Sequence, residues 1–273
     1  MSDSWESMKG PKVLSAEESE MLERQNSRLV NEFKANQLEK DALRNWDLFY
    51  KRNDTRFFRD RHWTTREFQE LIDEKSGDSK KILLEVGCGV GNFCWPLIED
   101  KFNENYFIYA CDFSPRAIEF VKQNSLYDEQ VIKAFQCDIT SETIFETIEE
   151  NSVDLISMIF VLSAIHPDKF DVALRSMYRL LKPGGTLLFR DYGLHDMAQI
   201  RFKPGNKISD KFYVRQDGTR SYYFSTEELE QFVRNIGFEV SVNEYIHRKT
   251  INIKENIDKE RVFVQSKFKK PIA

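Results

Sequence analysis

The stretch "LLEVGCGVGN", residues 83–92, runs an apolar strand pattern straight into glycines spaced Gly-x-Gly-x-Gly, then into polar residues that can open a helix. Glycine at Gly87, Gly89 and Gly91 lets the backbone adopt positive φ and approach a ligand closely, which a Cβ would prevent. The spacing is not a dinucleotide fingerprint, whose third glycine comes one residue later, and the Gly-Lys-Ser/Thr of a phosphate loop is missing. A tight strand-to-helix turn that holds no ligand stays open on this stretch alone.

Outward from that turn, strand and helix patterns alternate from about residue 80. "KILLEVG", "YFIYACD", "VIKAFQCD", "VDLISMIFVL" and "TLLFRDY" read as strands. Helices are expected from Asn92, from Ser114-Pro115, briefly near 141–149, and in a segment ending near Leu181 before the turn "KPGG". Ser114 as N-cap with Pro115 at the first helical position is a helix start with a physical cause. Apolar strands alternating with helices predict an α/β fold, a mostly parallel sheet covered on both faces. Upstream, residues 1–14 are expected to be disordered. Residues 15 to about 50 read as helix, opened by Ser15 with Glu18 in a capping box and free of internal glycine or proline. Downstream the rhythm breaks. Residues 193–224 hold the aromatic runs "KFYV" and "SYYF" around a hairpin turn at Asp217-Gly218. A helix capped by Ser225 and Glu228 runs to Gly237, and "EVSVNEYIHRKTINI" and "RVFVQSKFK" read as strands closing the sheet antiparallel.

The 273 residues, 41% hydrophobic and 31% charged with a formal net charge of −5, can build a core and suit a soluble protein. No run approaches the ~20 apolar residues of a membrane span. The polar start lacks the apolar stretch of a secretion signal. Cys88, Cys94, Cys111 and Cys137 show no Cys-x-x-Cys spacing, so buried thiols of a reducing compartment are expected rather than disulfides or a metal. The expected location is the cytoplasm, with the nucleus open as a second compartment.

The average charge conceals an uneven distribution. Residues 44–66 hold seven Lys/Arg against three Asp/Glu, residues 193–224 six against three, and residues 248–273 eight against three. Solvated faces are the simplest explanation. The first two segments, however, interleave their cations with Trp46, Phe49, Tyr50, Phe57, Phe58, Trp63, Phe202, Phe212, Tyr213, Tyr222, Tyr223 and Phe224. Aromatic platforms beside phosphate-seeking cations are what an unstacked RNA strand needs.

In an open α/β sheet, ligands bind outside the carboxyl ends of the strands, at the topological switch point. Glu85, Asp112 and Asp138 stand at or near such ends. Asp112 is placed to accept from both hydroxyls of a ribose. Asp138 can take an adenine amine, with Ile139 against the ring. Each could instead serve as a helix N-cap. Taken together with Gly-x-Gly-x-Gly and "LLKPGGTLLF", these residues resemble the class I S-adenosylmethionine-dependent methyltransferases. That resemblance implies a Rossmann-like, mostly parallel seven-stranded sheet.

"NWDLFYKRNDTRFFRDRHW", "CDFSPRAIEFVKQN", "IFVLSAIHPDK" and "LLFRDYGLHDMAQIRF…FYVRQDGTRSYYF" resemble the eukaryotic tRNA 3-methylcytidine methyltransferases, which act on cytidine 32 of the anticodon loop. The likeness covers residues 40 to 271, and "WDLFYKRN" looks most like the branch that modifies serine tRNAs and works with seryl-tRNA synthetase. The resemblance implies S-adenosyl-L-methionine as cofactor and tRNA as partner, with no membrane or DNA. It implies a methyltransferase domain over residues 80–273 with an RNA-binding insertion at 193–224, and a helical segment at 15–79 that covers the cofactor and binds RNA. Trp46, Tyr50, Gly87, Gly89, Asp112, Asp138, Ile139 and Ile159 would line the cofactor pocket. Arg59, Arg61, His62, Trp63, Arg215 and Arg220 would meet the tRNA. From the residues alone, Trp46 and Tyr50, four apart on one helical face, are as readily core.

Methyl transfer to the ring nitrogen of neutral cytosine is an in-line displacement by a lone pair that already exists. No general base is required. The product is cationic, so a carboxylate near the base stabilises charge as it develops. Asp191 in "FRDYG", at a strand end, is the candidate. The nitrogen is occupied in a duplex, so the cytidine must be unpaired or flipped. Three rivals remain: a methyltransferase for another RNA or a small molecule, a 5-methylcytosine enzyme with a cysteine nucleophile, and a non-catalytic S-adenosylmethionine-binding RNA subunit.

Overall fold

The computed structural model describes residues 4–8, 10–58, 60–72, 80–100, 105–252 and 257–272. The chain divides into two compact units. One comprises Leu43–Ile159, Val172–Leu188 and Lys269–Ala273, and is called here the glycine-turn unit. The other comprises Met1–Ala42, Phe160–Asp171 and Phe189–Phe268, the hairpin unit.

The glycine-turn unit is built on β2 (Lys81–Val86), β3 (Tyr106–Asp112), β4 (Ile132–Gln136), β5 (Val153–Ile159) and the first part of β6 (Leu181–Tyr192), in the order β6-β5-β2-β3-β4. The pairs β2 with β3, β2 with β5 and β3 with β4 are parallel. The chain steps outward from β2 to β4 and returns to its other side at β5, so the switch point lies at the carboxyl end of β2. The sequence places the glycine turn there. Leu83, Leu84, Ile108, Ala110, Ile156 and Met158 are fully buried, as the apolar strand patterns require of a sheet covered on both faces.

Each helix of this unit has a local cause. In α6 (Pro115–Gln123) the Ser114 hydroxyl accepts from the Ala117 amide with Pro115 at the first turn, and Ala117, Ile118 and Val121 form its buried stripe. In α3 (Ala42–Asn53) Trp46, Phe49, Tyr50 and Asn53 turn inward, while Arg44, Leu48, Lys51 and Arg52 are exposed. "KPGG" continues β6 rather than forming a free turn, because the Gly184 amide donates to the Lys270 carbonyl at 2.8 Å. Near 141–149 the helix is a single 3-10 segment, Glu142–Glu146.

The hairpin unit contains α1 (Ala16–Gln25) and α2 (Glu32–Lys40). One helix was expected over residues 15–50, yet the chain breaks at Asn26 and again at Asp41. The Asn31 side chain accepts from the Lys34 amide and starts α2, and the Val30 amide leaves helical bonding to donate to the Lys207 carbonyl at 2.8 Å. Capping side chains and a long-range bond outweigh helix propensity here. The expected capping box of Ser15 and Glu18 is present.

Phe212–Val214 (β8) and Arg220–Tyr222 (β9) pair antiparallel across the Asp217-Gly218 turn, with Lys207–Ser209 (β7) beside β8. Between β6 and β7 lies α8 (Met197–Ile200). The Ser225-capped helix is α9 (Thr226–Ile236), ended by Gly237 at φ 116°. β10 (Glu239–Asn252) and β11 (Ile257–Lys269) follow, and the strand order is β1-β10-β11-β6. Here β1 (Ser4–Met8) corrects the expectation of a disordered start: it pairs antiparallel with β10, Ser4 opposite Lys249 and Met8 opposite Tyr245. β1 is an addition to the expected seven strands. The boundary expected at residue 79 is not where the units divide, since residues up to Ala42 group with the hairpin and those from Leu43 with the glycine turn.

Candidate active site

At the end of β2 the chain turns through Gly87, Gly89 and Gly91, with φ of 63°, 55° and 89°. Gly89 matters most. At Gly89 a Cβ would lie 2.9 Å from the Tyr50 hydroxyl on a backbone at positive φ, so glycine lets the turn and the α3 tyrosine approach. The turn is tied to the next strand end, where the Gly89 amide donates to Asp112 Oδ2 at 2.8 Å and the Ser114 amide donates to Asp112 Oδ1 at 2.9 Å. A carboxylate offers about four lone-pair positions. These bonds, with a further one from the Phe113 amide, fix the carboxylate and still leave it acceptor capacity for hydroxyls.

Burial pushes Asp112 up to about 6, against the pull of the Ser114 and Gly89 amides. Glu85, buried at the end of β2, is pushed by burial up to about 7 although the Arg61 guanidinium pulls it down and the Cys94 thiol donates to it at 2.6 Å. Burial, followed by the charge of Asp112, raises Tyr50 well above its ordinary value, so its phenol keeps its proton. The thiols of Cys88, Cys94 and Cys111 are raised by burial in the same way, and Cys137 is raised too. All four cysteines are free and buried, as expected. Among the described residues no cluster could hold a metal ion.

At the end of β4, the half-buried Asp138 accepts from the Thr140 amide at 2.9 Å and the Thr140 hydroxyl at 2.7 Å, both on Oδ1. Oδ1 thus caps the local turn, while neither of these bonds engages Oδ2. Ile139 and Ile159 are buried at 6% and 2% exposure. Trp46 packs beside Tyr50 and Phe49, in a cluster with Val90 of the glycine turn and Ala117 of α6. The core reading of Trp46 and Tyr50 is therefore correct as far as packing goes, and the core they build adjoins the turn. Asp47 locks α3 there: its Oδ1 accepts from the Ser114 hydroxyl at 3.0 Å and the Arg116 amide at 3.2 Å. This tether was not read from the sequence, although an aspartate between two inward aromatics on a helix is a signal for one.

The residues expected to meet RNA divide. Arg59 lies outside the described residues. Arg61 turns inward: its amide donates to the Asn92 carbonyl at 2.8 Å, its Nη1 reaches the Ile159 carbonyl at 3.4 Å, and its charge acts on Glu85 and Tyr50. That places it beside Glu85, Tyr50 and Ile159. His62 is exposed, 3.9 Å from Asp100, and Trp63 is half-buried before α4 (Thr64–Glu67).

In the hairpin unit, Arg220 is corrected outright. It is 4% exposed, its guanidinium pairs with Glu39 of α2, and Lys169 holds the other Glu39 oxygen at 2.6 Å. Arg215, half-buried, donates to the Arg220 carbonyl at 2.7 Å and lies over the Tyr192 ring at 5.5 Å. Phe212, Tyr213, Tyr222, Tyr223 and Phe224 are buried, and Phe202 stacks on Tyr213 at 4.7 Å, so these aromatics form a core rather than an open platform.

Asp191 is fully buried, with the Ser163 amide on Oδ2 and the Tyr192 amide on Oδ1, each at 2.9 Å. Burial pushes it up to about 6, opposed by Ser163, the Tyr192 amide and the charge of Arg215. It holds the segment after β5 as much as it offers a charge.

Residues 57–241 match a family model described as a methyltransferase domain. The Homo sapiens tRNA N(3)-cytidine methyltransferase METTL6 is 54% identical over 261 residues, covering 95% of this chain and 91% of that protein. The Schizosaccharomyces pombe tRNA N(3)-methylcytidine methyltransferase trm140 is 43% identical, over 85% of this chain and 77% of its own length. Among solved structures, a Methanosarcina mazei SAM-dependent methyltransferase gives a TM-score of 0.52 at 17% identity, over 72% of this chain and 95% of that one. A Pyrococcus horikoshii protein gives 0.57 at 16% identity, over 82% and 98%. At such identities these structures speak for the fold alone.

Proposed function

This chain belongs to the tRNA N(3)-cytidine methyltransferases, and from that premise we propose how its residues carry out the reaction and which tRNA it serves. It is an S-adenosylmethionine-dependent enzyme that methylates N3 of a cytidine in tRNA. The observation that carries this reading is the strand-end pair Asp112 and Asp138 beside the glycine turn, in a chain with such relatives.

The residues fit the cofactor. Asp112 keeps acceptor capacity for the ribose hydroxyls, Asp138 Oδ2 is available to an adenine amine, and Ile139 supplies an apolar flank. The bound cofactor supplies a methyl group on a sulfonium, ready for in-line displacement. Gly87 and Gly89 keep the turn free of side chains, and Trp46 and Tyr50 exclude water from it. Arg61 and Glu85 offer opposite charges for the ends of an amino acid moiety. No side chain has to remove a proton, because the cytosine ring nitrogen attacks with its own lone pair. The enzyme's task is to hold that nitrogen in line. The product carries a positive charge, and Asp191, ionised above about pH 6, is the charge of the right sign to favour it.

The finer assignment is the cytidine at position 32 of the anticodon loop of serine tRNAs, in the cytoplasm. A loop base is unpaired or readily flipped. Anticodon loops look alike to a small reader, and the chain is acidic overall at −5, so selectivity is more readily supplied by a second protein gripping the rest of the tRNA. Seryl-tRNA synthetase is the proposed partner, and linking two contacts raises effective concentration without adding a third. The test is nucleoside mass spectrometry of total tRNA incubated with the purified protein and cofactor, with and without that synthetase. The expected result is 3-methylcytidine in serine tRNA, strongly increased by the synthetase. Absence of 3-methylcytidine under both conditions would refute the activity, and full selectivity without the synthetase would refute the partner.

A further inference from the structure

With the 193–224 aromatics buried or half-buried, one large aromatic of the basic segments stands open among the described residues. Phe57 is 58% exposed, although its ring meets Phe49 and Phe58 edge-on at 4.8 Å each. An exposed aromatic held by two packed neighbours has little rotamer freedom left to lose on binding and presents one ring surface outward. Its foundation is the cofactor site. Phe49 packs on Tyr50 at 5.3 Å, Phe58 belongs to the cluster with Val90, and the Asn92 side chain donates to the Phe58 carbonyl at 3.3 Å and to Asp60 at 3.0 Å. The ring is thus fixed relative to the glycine turn.

The segment that carries it is cationic. Arg44, Lys51 and Arg52 lie on the exposed face of α3, where positions spaced by three, four and seven share one side, and Arg56 precedes Phe57 with its side chain 82% exposed. The acids of the segment offset this little. Asp47 is committed to α6, Asp60 to Asn92, and the exposed pair of Asp54 with Arg56 is weak. An open ring in a segment rich in exposed, phosphate-seeking cations suits a nucleobase of an unpaired strand better than an apolar protein surface.

We propose that Phe57 is the stacking platform for a tRNA base next to the target cytidine, setting the distance between the bound loop and the methyl donor. This rests on the tRNA methyltransferase reading and adds a positioning residue to it.

The test compares Phe57→Ala, Phe57→Leu and Phe57→Trp with the unsubstituted chain, using calorimetry for the cofactor, titration with serine tRNA, and single-turnover methyl transfer. Expected are a roughly five- to hundredfold weaker tRNA affinity for the Ala and Leu variants, unchanged cofactor affinity and melting temperature, and near-complete recovery in Phe57→Trp. A Leu variant as good as the unsubstituted chain would overturn the proposal, since apolar contact would then suffice. Unchanged tRNA affinity in the Ala variant would overturn it, in favour of a protein contact if methyl transfer repeated with seryl-tRNA synthetase had lost its stimulation. No methyl transfer by the unsubstituted chain would overturn the activity and this proposal together.

Discussion

Glu85→Gln removes a charge that the fold holds at a cost. The carboxyl is 2% exposed and burial raises it from 4.5 to about 7. At about 1.4 kcal/mol for each tenfold change in proton affinity, that rise corresponds to roughly 3 kcal/mol between the two protonation states. The sign follows from linkage. Below pH 4.5 the group is protonated in both folded and unfolded chains and costs nothing. As the pH climbs through about 7 the unfolded chain has already released its proton while the folded chain resists, so stability is lost over this window. Glutamine keeps an oxygen to accept from the Cys94 thiol and never ionises. The variant should therefore gain about 3 kcal/mol on the unsubstituted chain between pH 4.5 and pH 8, measured by denaturant melts without cofactor. Asp112 titrates nearby, to about 6, but is present in both chains and largely cancels in the difference. A stability difference independent of pH would refute the burial argument. The same variant should bind cofactor less well, which would show why the enzyme retains an unfavourable charge.

Asp112→Asn should weaken cofactor binding by one to two decades, from the loss of charged acceptors worth roughly 1.5–3 kcal/mol, as read by calorimetry. In the unsubstituted chain cofactor affinity should fall as the pH drops through about 6, because a protonated Asp112 no longer accepts at both oxygens. Asp191→Asn should lower single-turnover methyl transfer and flatten its decline below pH 6, with cofactor affinity unchanged; an unaltered pH profile would remove Asp191 from the chemistry. Arg220→Ala leaves Glu39 half-paired and opens the hairpin core, so it should destabilise the protein by about 2 kcal/mol in denaturant melts while leaving the salt dependence of tRNA binding intact. Replacing Lys51 and Arg52 together by Ala should lower the salt slope of tRNA binding by about 1.4 with little change in stability, and an unchanged slope would make them ordinary solvated charges.

The parts legible in the sequence are those whose cause is local. The glycine turn, the acids at strand ends, the Ser114-Pro115 start of α6 and the hairpin at Asp217-Gly218 each depend on a few consecutive residues, and the structure contains them all. Burial periodicity likewise determined the parallel sheet, because a strand covered on both faces must be apolar throughout. The sequence could not assign direction to long cationic and aromatic side chains. Arg220 reads as a free cation until α2, 181 residues away, brings Glu39 to it. Arg61 reads as one of a basic run until Asn92 takes its amide and the Ile159 carbonyl its guanidinium. The 193–224 aromatics read as a platform until they stack on one another. In each case the sign of the conclusion, inward or outward, was decided by a tertiary partner. Propensity, capping and periodicity act over a turn or a strand, whereas desolvating a charge or a ring is worthwhile only when a distant segment supplies its counterpart.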